Sequence, residues 1–517
     1  MKNRIIYYFL IIGSLCCNMA CNDWLEVLPK NEQVTPNFWK GKEDVEAVLG
    51  SAYLNLRGTT TTLIQWGELR GGSIYAYSGT NEQRFMKFQL TSSDKICDWA
   101  AFYTTIGMAN SVLRYAPEVF ELDETYREAN MNSHLTEAYF IRALTYFYLV
   151  RNFKDVPLVL EPYIDDSAPF LMAKSSEKEI LNQIKTDIRT ALETGAAKEF
   201  FESDTWAGVS KGRATKWALY ALMADVCLWD EDYDECIKYA DLLLNATAVR
   251  RPVFMADGTQ WFEIFYPGNS NESIFEINWQ HGGAQMDKSP YAIFLVGTGV
   301  AYQYSAAMCE RLYAENRELT VTGTPSVRAE WGAYVDNKAT GALNYSVWKY
   351  RGMGYPDIAN QRPATTEDDS NWIVYRMTEV LLMKAEALIW KGPEGYEEAI
   401  ELINRVRNRS GLQKLRFTAE STDESELMDA VLHERDIEFA AEGKRWYDLV
   451  RFGKAKNYKY KDVFIETVAE NNELANPSWI RSVLKNPYAW YLPILESQIE
   501  VNGGLLVQNP YYGGTSK

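Results

Sequence analysis

The sequence predicts a mainly α protein: a tetratricopeptide-like scaffold of helical hairpins with a large irregular insertion of loops and short strands. Two observations lead to this fold class. Three pairs of segments have the apolar pattern of helical hairpins, and a short turn joins the members of the second and third pairs. Between the second pair and the third lies a long stretch, rich in Gly, Asn, Tyr and Trp, that shows no such spacing.

The amino terminus has the pattern of a lipoprotein signal peptide over residues 1–20. Basic residues precede an apolar run from Ile5 to Cys17, which is too short to span a bilayer as a permanent helix. Ala20 supplies a small residue before Cys21, so cleavage between them leaves a cysteine free for acylation. We therefore expect export and a lipid on Cys21, with an ordinary secretory signal cleaved nearby as the alternative.

The composition of the chain bounds its class and its partners. The 497 residues from position 21 to position 517 are enough for one large domain or for two to three ordinary ones. With 47% hydrophobic and 24% charged residues, a sizeable core is expected. The formal net charge of −17 argues against binding to nucleic acid or adsorption to anionic lipid, because both need a basic face.

The cysteines after Cys21 are too few to form a disulfide scaffold in so long a chain. They are Cys97, Cys227, Cys236 and Cys309. Cys227 and Cys236 fall on successive helices of one predicted hairpin. Buried free thiols are expected for both, and a disulfide remains the alternative.

The first two hairpins follow from apolar periodicity. Residues 137–151 are apolar nearly all round, which is typical of a buried helix. Its partner begins near Ser176, where Ser176 and Glu179 have the spacing of a capping box. In the second hairpin, an acidic turn at residues 230–232 follows a ridge of small residues that lets helices approach closely: Ala214, Ala218, Ala221 and Ala224.

The third hairpin is predicted from Tyr375 to Trp390, with a Gly-Pro-Glu-Gly break and a second amphipathic helix from Tyr396. We place the helical scaffold at about 38–248 and 372–517, and the irregular insertion at about 249–371. The insertion contains a strand-like run from Ser273 to Trp279. Loops on a rigid scaffold commonly carry function, so the insertion is a candidate for the binding region.

Neither catalysis nor metal binding finds support in the sequence. The histidines His134, His281 and His433 are far apart in the sequence, and no H-E-x-x-H motif occurs. The acidic clusters lack the alternating spacing and turn glycine of a calcium loop, so no cofactor is predicted, and calcium stays an open alternative that the sequence does not support. A charged set near the carboxyl terminus predicts structural ion pairs rather than paired-carboxylate catalysis: Glu434, Arg435, Glu438, Glu442 and Arg445. We therefore expect a protein that is not an enzyme.

Several segments, in order, resemble the SusD/RagB family of outer-membrane nutrient-binding lipoproteins. They are residues 137–159 (EAYFIRALTYFYLVRNFKDVPLV), 211–229 (with GRATKWALYALMADV), 375–412, 433–453 (HERDIEFAAEGKRWYDLVRFG) and 491–510 (YLPILESQIEVNGGLLVQNP). With the Cys21-Asn22-Asp23-Trp24-Leu25 start, the likeness covers essentially the whole chain. The departures are small and lie in the closing motif, where Ile494-Leu495 and Gly503-Gly504 replace commoner pairs.

This resemblance implies one SusD-like domain over residues 21–517 and a binding function. Such proteins are lids on a SusC-like TonB-dependent transporter at the outer face of the outer membrane, and they capture a nutrient for import. Most members take glycans and a minority take peptides. The implied partners are therefore a SusC-like transporter and a glycan. Capture of peptides, or an assembly role that grips another protein without a small ligand, remain the alternatives.

Aromatic residues are the candidate ligand contacts, because sugar rings stack their apolar C–H faces on flat side chains. Of 16 Trp and 33 Tyr, those in helical motifs are expected in the core, namely Trp217, Trp229, Trp390 and Trp446. In the family, the Gly-rich loop after the first helix, residues 94–99 and the insertion line the ligand site. The resemblance identifies regions of the ligand site and not single residues. The candidates in these regions are Trp66, Arg70, Tyr75, Tyr77, Trp99, Trp279, Tyr291, Tyr302 and Trp331, with Glu68, Gln280, His281 and Tyr304 in the same regions. Trp99 also has the position of a helix start.

Overall fold

The computed structural model describes residues 38–76, 79–163, 171–202, 209–294, 302–317, 326–334, 346–416 and 423–513. The predicted signal peptide, Cys21 and Tyr77 lie outside these described residues.

The first half of the chain is a series of packed helices with short strands between them. In chain order it contains α1 (Lys42–Gly58), α2 (Thr60–Glu68), β1 (Ile74–Ala76), α3 (Thr80–Met86), α4 (Ala100–Leu122), α5 (Glu128–Phe153), α6 (Glu177–Glu193), β2 (Phe201–Glu202), β3 (Val209–Ser210), α7 (Lys216–Trp229) and α8 (Tyr233–Leu244). Helix α4 packs between α1 and α5, and α5 packs on α6.

The second half begins with short elements and returns to long helices. It contains β4 (Ser273–Ile277), α9 (Pro290–Ile293), β5 (Tyr302–Tyr304), α10 (Ala306–Arg317), α11 (Val327–Gly332), β6 (Ala333–Tyr334), β7 (Ser346–Val347), β8 (Trp372–Arg376), α12 (Met377–Lys391), α13 (Tyr396–Arg409), α14 (Glu424–Glu438), α15 (Arg445–Tyr458), α16 (Lys461–Asn471), α17 (Pro477–Leu484) and α18 (Glu496–Glu500). The strands pair antiparallel in twos: β1 with β5, β2 with β3, β4 with β8 and β6 with β7.

The predicted fold class and the three helical hairpins are confirmed. The hairpins are α5 with α6, α7 with α8, and α12 with α13. The capping box is present, since the Ser176 side chain accepts from the Glu179 N–H and the Ser176 N–H donates to Glu179 Oε2 at 2.8 Å. The predicted alanine ridge is buried, with Ala218, Ala221 and Ala224 on α7 and Ala214 just before it.

One predicted boundary is wrong. Tyr375 belongs to strand β8, and helix α12 begins two residues later at Met377. Strand β8 pairs with β4, the strand-like run predicted in the insertion, with Ile277 opposite Trp372. The Met377 N–H extends this pairing by donating to the Glu272 carbonyl at 3.0 Å. Cross-strand hydrogen bonds therefore override the helical spacing of the residues at this boundary.

The core runs through both halves of the described chain and contains the four tryptophans that the helical motifs placed there. Cys97, Cys227, Cys236 and Cys309 are buried free thiols, which confirms the prediction made for Cys227 and Cys236. Burial raises the pKa of each thiol, so all four remain protonated and unreactive near neutral pH. In the parts of the chain listed above, no helix combines the length and the apolar character needed to cross a bilayer.

A buried ion network joins the irregular stretch 249–371 to the helices that follow it. At its centre Glu438, at the end of α14, forms ion pairs with Arg328, Arg376 and Arg409. Its Oε1 lies 2.8 Å from Arg376 Nη1, and its Oε2 lies 3.2 Å from Arg328 Nη1. Burial opposes ionisation of Glu438, but the three arginines outweigh burial and hold its pKa well below the usual range.

The network extends on both sides of this centre. Glu272, which precedes β4, and Glu442, which follows α14, both pair with Arg376 at 3.0 and 2.9 Å. Lys349 also donates to Glu442 at 2.7 Å. The predicted ion pairs in residues 434–445 are thus confirmed, but their partners lie on other elements instead of one turn away on the same helix.

The charge of Glu438 is expected to be essential for stability. Glu438→Gln keeps the shape of the side chain but leaves three buried arginines without their shared anion, which costs about 3–5 kcal/mol of unfolding free energy. Urea unfolding measures the change. The control is Glu466→Gln, which breaks an exposed pair with Arg481 and is expected to change little. Equal effects of the two substitutions would contradict the central role of Glu438.

Candidate ligand-binding site

Strands β1 and β5 form a short antiparallel ribbon in which Tyr75 lies opposite Gln303. Successive side chains of a strand point to opposite faces, so Tyr75 and Gln303 share one face of the ribbon. Ala76 and Tyr302, also opposite each other, lie on the other face and are buried. Tyr75 is half-buried and Gln303 opposite it is buried, so the face that they share is only partly accessible.

A polar cluster borders this ribbon where α2 and α3 meet β5. Gln65 Nε2 donates to the Tyr302 hydroxyl at 2.7 Å and to Glu82 Oε1 at 3.3 Å. The Tyr302 hydroxyl lies 3.5 Å from the same Glu82 oxygen. We call the five residues together the ribbon site: Gln65, Tyr75, Glu82, Tyr302 and Gln303.

The ribbon site offers both donors and acceptors of hydrogen bonds. The amides of Gln65 and Gln303 can do both, and the Glu82 carboxylate accepts. Burial raises the pKa of Tyr302 well above the usual range, and Gln65 only partly opposes this effect, so the hydroxyl keeps its proton at neutral pH. Such a lining suits a ligand rich in hydroxyl groups, while the Tyr75 ring supplies a flat apolar surface.

Of the nine predicted contacts, the structure brings Tyr75 and Tyr302 together at this ribbon. The prediction that Trp66 and Glu68 lie in a loop is wrong, because both belong to helix α2. Trp66 is fully buried there and stacks on Phe102 with ring centroids 4.7 Å apart. Its indole N–H donates to the Ile96 carbonyl at 2.8 Å. In this structure Trp66 is a packing residue.

Two further predicted contacts also lie in the core. The Arg70 guanidinium is stacked 4.1 Å from the Trp446 ring and donates to the Trp490 carbonyl at 2.8 Å. Burial lowers the pKa of Arg70 to about 10. Trp99 is buried edge-on against Phe153, and it is the residue before helix α4, as its predicted helix-start position requires.

The predicted contacts in the insertion lie at three separate places. Trp279 is buried, and its indole N–H donates to the Gln285 carbonyl at 3.0 Å. Tyr291 is buried under Arg351, whose guanidinium lies 4.2 Å from its ring. Trp331 is half-buried against Phe262 and Tyr355. A ligand contact by any of them remains a prediction.

Gln65 and Glu82 were not among the predicted residues. The pattern of apolar residues in α2 could have identified Gln65. Leu63, Ile64 and Trp66 are buried, so Gln65 between them faces outward. Glu82 has no such signal, since α3 is short and follows a glycine. Among the described residues, no group of three or more His, Cys, Asp or Glu side chains is placed to hold a metal ion.

The fold and the ribbon site define a tetratricopeptide-like scaffold protein with a polar strand ribbon on one face. Two family sequence models match most of the chain. One, described as the SusD family, matches residues 314–512, and the other, described as starch-binding associating with outer membrane, matches residues 23–228. The chain belongs to the SusD/RagB family.

Known proteins are similar to this chain over more than nine-tenths of its length. A SusD-like protein P38 of Formosa agariphila is 28% identical over 93% of this chain and 96% of its own. A SusD superfamily protein of Bacteroides vulgatus has a TM-score of 0.74 at 21% identity, over 92% of this chain and 100% of its own. The surface glycan-binding protein A of Bacteroides thetaiotaomicron, solved with laminarihexaose, has a TM-score of 0.66 at 20% identity, over 91% and 100%.

The burial of Trp66 predicts a structural effect of its removal. Trp66→Ala leaves a cavity against Phe102 and an unpaired Ile96 carbonyl, and it is expected to cost about 3–5 kcal/mol of unfolding free energy. Chemical denaturation measures this change. Trp479→Ala is the matched control, because Trp479 is partly exposed and its loss leaves no buried cavity. A Trp66→Ala protein as stable as the control would show that the ring is not a core element.

Proposed function

We propose that the protein is a cell-surface lipoprotein that captures an oligosaccharide or polysaccharide and delivers it to a SusC-like TonB-dependent transporter. Membership of the SusD/RagB family supports a binding role at the outer membrane rather than catalysis. The observation that favours a glycan is the ribbon site, where the half-buried Tyr75 lies on one face of the strand ribbon and a cluster of amide, carboxylate and phenol groups lies at the other.

The chemistry of a sugar fits this arrangement. Each hydroxyl both donates and accepts, so it can pair with the amide of Gln303 or of Gln65 and with the carboxylate of Glu82. One face of the ring carries C–H groups and can stack on Tyr75. A structural neighbour described as a laminarin binding SusD-like protein, with a TM-score of 0.67, makes laminarin oligosaccharides the first ligands to test.

Loss of the Tyr75 ring is expected to weaken glycan binding. Titration calorimetry against an oligosaccharide panel that includes laminarihexaose identifies the ligand, and Tyr75→Ala should then raise its Kd about tenfold, equivalent to ~1.4 kcal/mol. Tyr488→Ala removes an exposed tyrosine from the carboxyl-terminal part and serves as control. Binding of peptides in place of every oligosaccharide, or an unchanged Kd in Tyr75→Ala, would contradict the proposal.

The proposed anchor and partner have a separate test. In the native host, Cys21→Ser is expected to move the protein from the detergent phase to the aqueous phase, because the thiol that carries the lipid is gone. The wild-type lipoprotein should copurify with a TonB-dependent transporter after mild solubilisation. A Cys21→Ser protein that stays in the detergent phase would contradict the anchor. Repeated purification without a transporter would contradict the partnership.

A further inference from the structure

Glu68, the last residue of helix α2, lies fully buried against the turn that follows helix α14. Its Oε1 accepts from the backbone N–H of Gly443 at 2.6 Å and from that of Lys444 at 3.2 Å. Its Oε2 is also buried and makes no hydrogen bond within the described residues. Donors of the described chain therefore stabilise only one of the two carboxyl oxygens.

The cations around Glu68 are committed to other carboxylates. Three basic residues lie near this contact, and each forms an ion pair with a different acid: Lys349 with Glu442 at 2.7 Å, Lys444 with Glu379 at 2.9 Å and Arg445 with Asp436 at 3.2 Å. Glu68 itself takes part in no ion pair among the residues that the structure describes. Because a buried carboxylate without a cation is costly, this position favours the neutral acid.

The other titratable neighbours of Glu68 supply no positive charge. Asp436 of helix α14 is a second acid, while Tyr304 of strand β5 and Tyr350 are phenols whose pKa burial raises well above the usual range. Burial also raises the pKa of Glu68, to about 8, and Asp436 adds to this effect. The two backbone N–H groups and Lys349 oppose it only in part. Glu68 is therefore a neutral acid near neutral pH and an anion in alkaline solution.

The surroundings of Glu68 connect it to the ribbon site. Gln65 lies three residues earlier, within one turn of the same helix, and Tyr304 belongs to the ribbon strand β5. A Cβ on Gly67 would lie 2.2 Å from the Gly443 carbonyl oxygen, so the two backbones are already in close contact. A carboxylate buried in this contact can gain hydration only if the end of α2 and the turn separate.

We propose that Glu68 is a pH-sensitive latch for the ribbon site. As a neutral acid it holds the end of helix α2 on the turn at residues 443–444. As an anion in alkaline solution it favours separation of the two, which releases Gln65 from its place at the ribbon. The inference rests on the proposed function for the ligand that the latch regulates, but the protonation of Glu68 and the movement of α2 are independent of that ligand.

The proton on Glu68 makes stability depend on pH. Its pKa rises from the usual 4.5 to about 8 in the folded chain, so the proton favours the folded state. This contribution is complete below about pH 4.5 and is lost as the pH rises to about 8. Glu68→Gln keeps a neutral group of similar shape and removes the titration. From about pH 5 to about pH 7.5, the unfolding equilibrium constant of the wild type, relative to this variant, should rise about tenfold per pH unit.

Urea unfolding at each pH measures this difference in the full mature chain. Glu466→Gln is the matched control, because a hydrogen bond from Arg481 lowers the pKa of the exposed Glu466, which carries no proton in this pH range. Parallel pH profiles of the wild type and Glu68→Gln would overturn the proposal. Infrared spectroscopy of the wild type gives a test that needs no variant: the carbonyl band of protonated carboxylic acids should lose intensity with a midpoint near pH 8. A band that stays constant from about pH 6.5 to about pH 9.5 would also overturn it.

Hydrogen exchange and glycan binding test the movement of helix α2. At about pH 9 the amides of residues 64–68 should exchange at least about tenfold faster in the wild type than in Glu68→Gln, and at about pH 6.5 equally fast. Over the same range the Kd of the bound oligosaccharide should rise in the wild type and stay constant in the variant. A wild type that binds no oligosaccharide at any pH contradicts the proposed function, whereas equal exchange rates at about pH 9, or a Kd of the wild type that does not change with pH, overturns the latch.

Discussion

The buried charge of Glu438 is the interaction that holds the irregular stretch 249–371 against the helices that follow it. Its three arginine partners come from helix α11 of the irregular stretch, from strand β8 and from the end of helix α13. A buried carboxylate is costly unless it is paired, and so is each arginine without it. A shift of any one of these three elements would therefore leave charged side chains buried without a partner. Irregular segments, which lack a long apolar face, gain a defined place against the helices through these charges.

Backbone contacts connect the ion network to the ribbon site. Glu442, a member of the ion network, is followed by Gly443, whose N–H donates to Glu68 Oε1 at 2.6 Å. A Cβ on Gly67 would lie 2.2 Å from the Gly443 carbonyl oxygen, so the close approach of helix α2 requires glycine there. Burial raises the pKa of Glu68 to about 8, which favours a neutral side chain at this contact. Helix α2 is thus fixed at its end, and Gln65, within the same turn, is held at the ribbon.

Periodicity predicts those elements whose pattern extends over several turns. The helices around residues 137–151 and 214–229 were predictable because burial repeats along them. Helix α2 and strands β1 and β5 are too short to show a repeating pattern of apolar residues. The sequence therefore predicts a loop at Trp66, where the structure has a helix. The ion pairs of residues 434–445 were predictable as a class because charged residues in an apolar context must be paired. Their partners were not, since Arg328 and Arg376 are distant in sequence.

The candidate site shows a different limit of sequence reasoning. An aromatic ring is both the largest apolar group for a core and the best platform for a sugar, and the sequence does not distinguish the two uses. Trp66, Trp279 and Tyr291 are buried, whereas Tyr75 is half-buried at a strand ribbon that also carries polar groups. Exposure, set by tertiary contacts, separates these uses. With a net charge of −17, the molecule repels anions at long range. A neutral, hydroxyl-rich ligand approaches the ribbon site without this electrostatic repulsion.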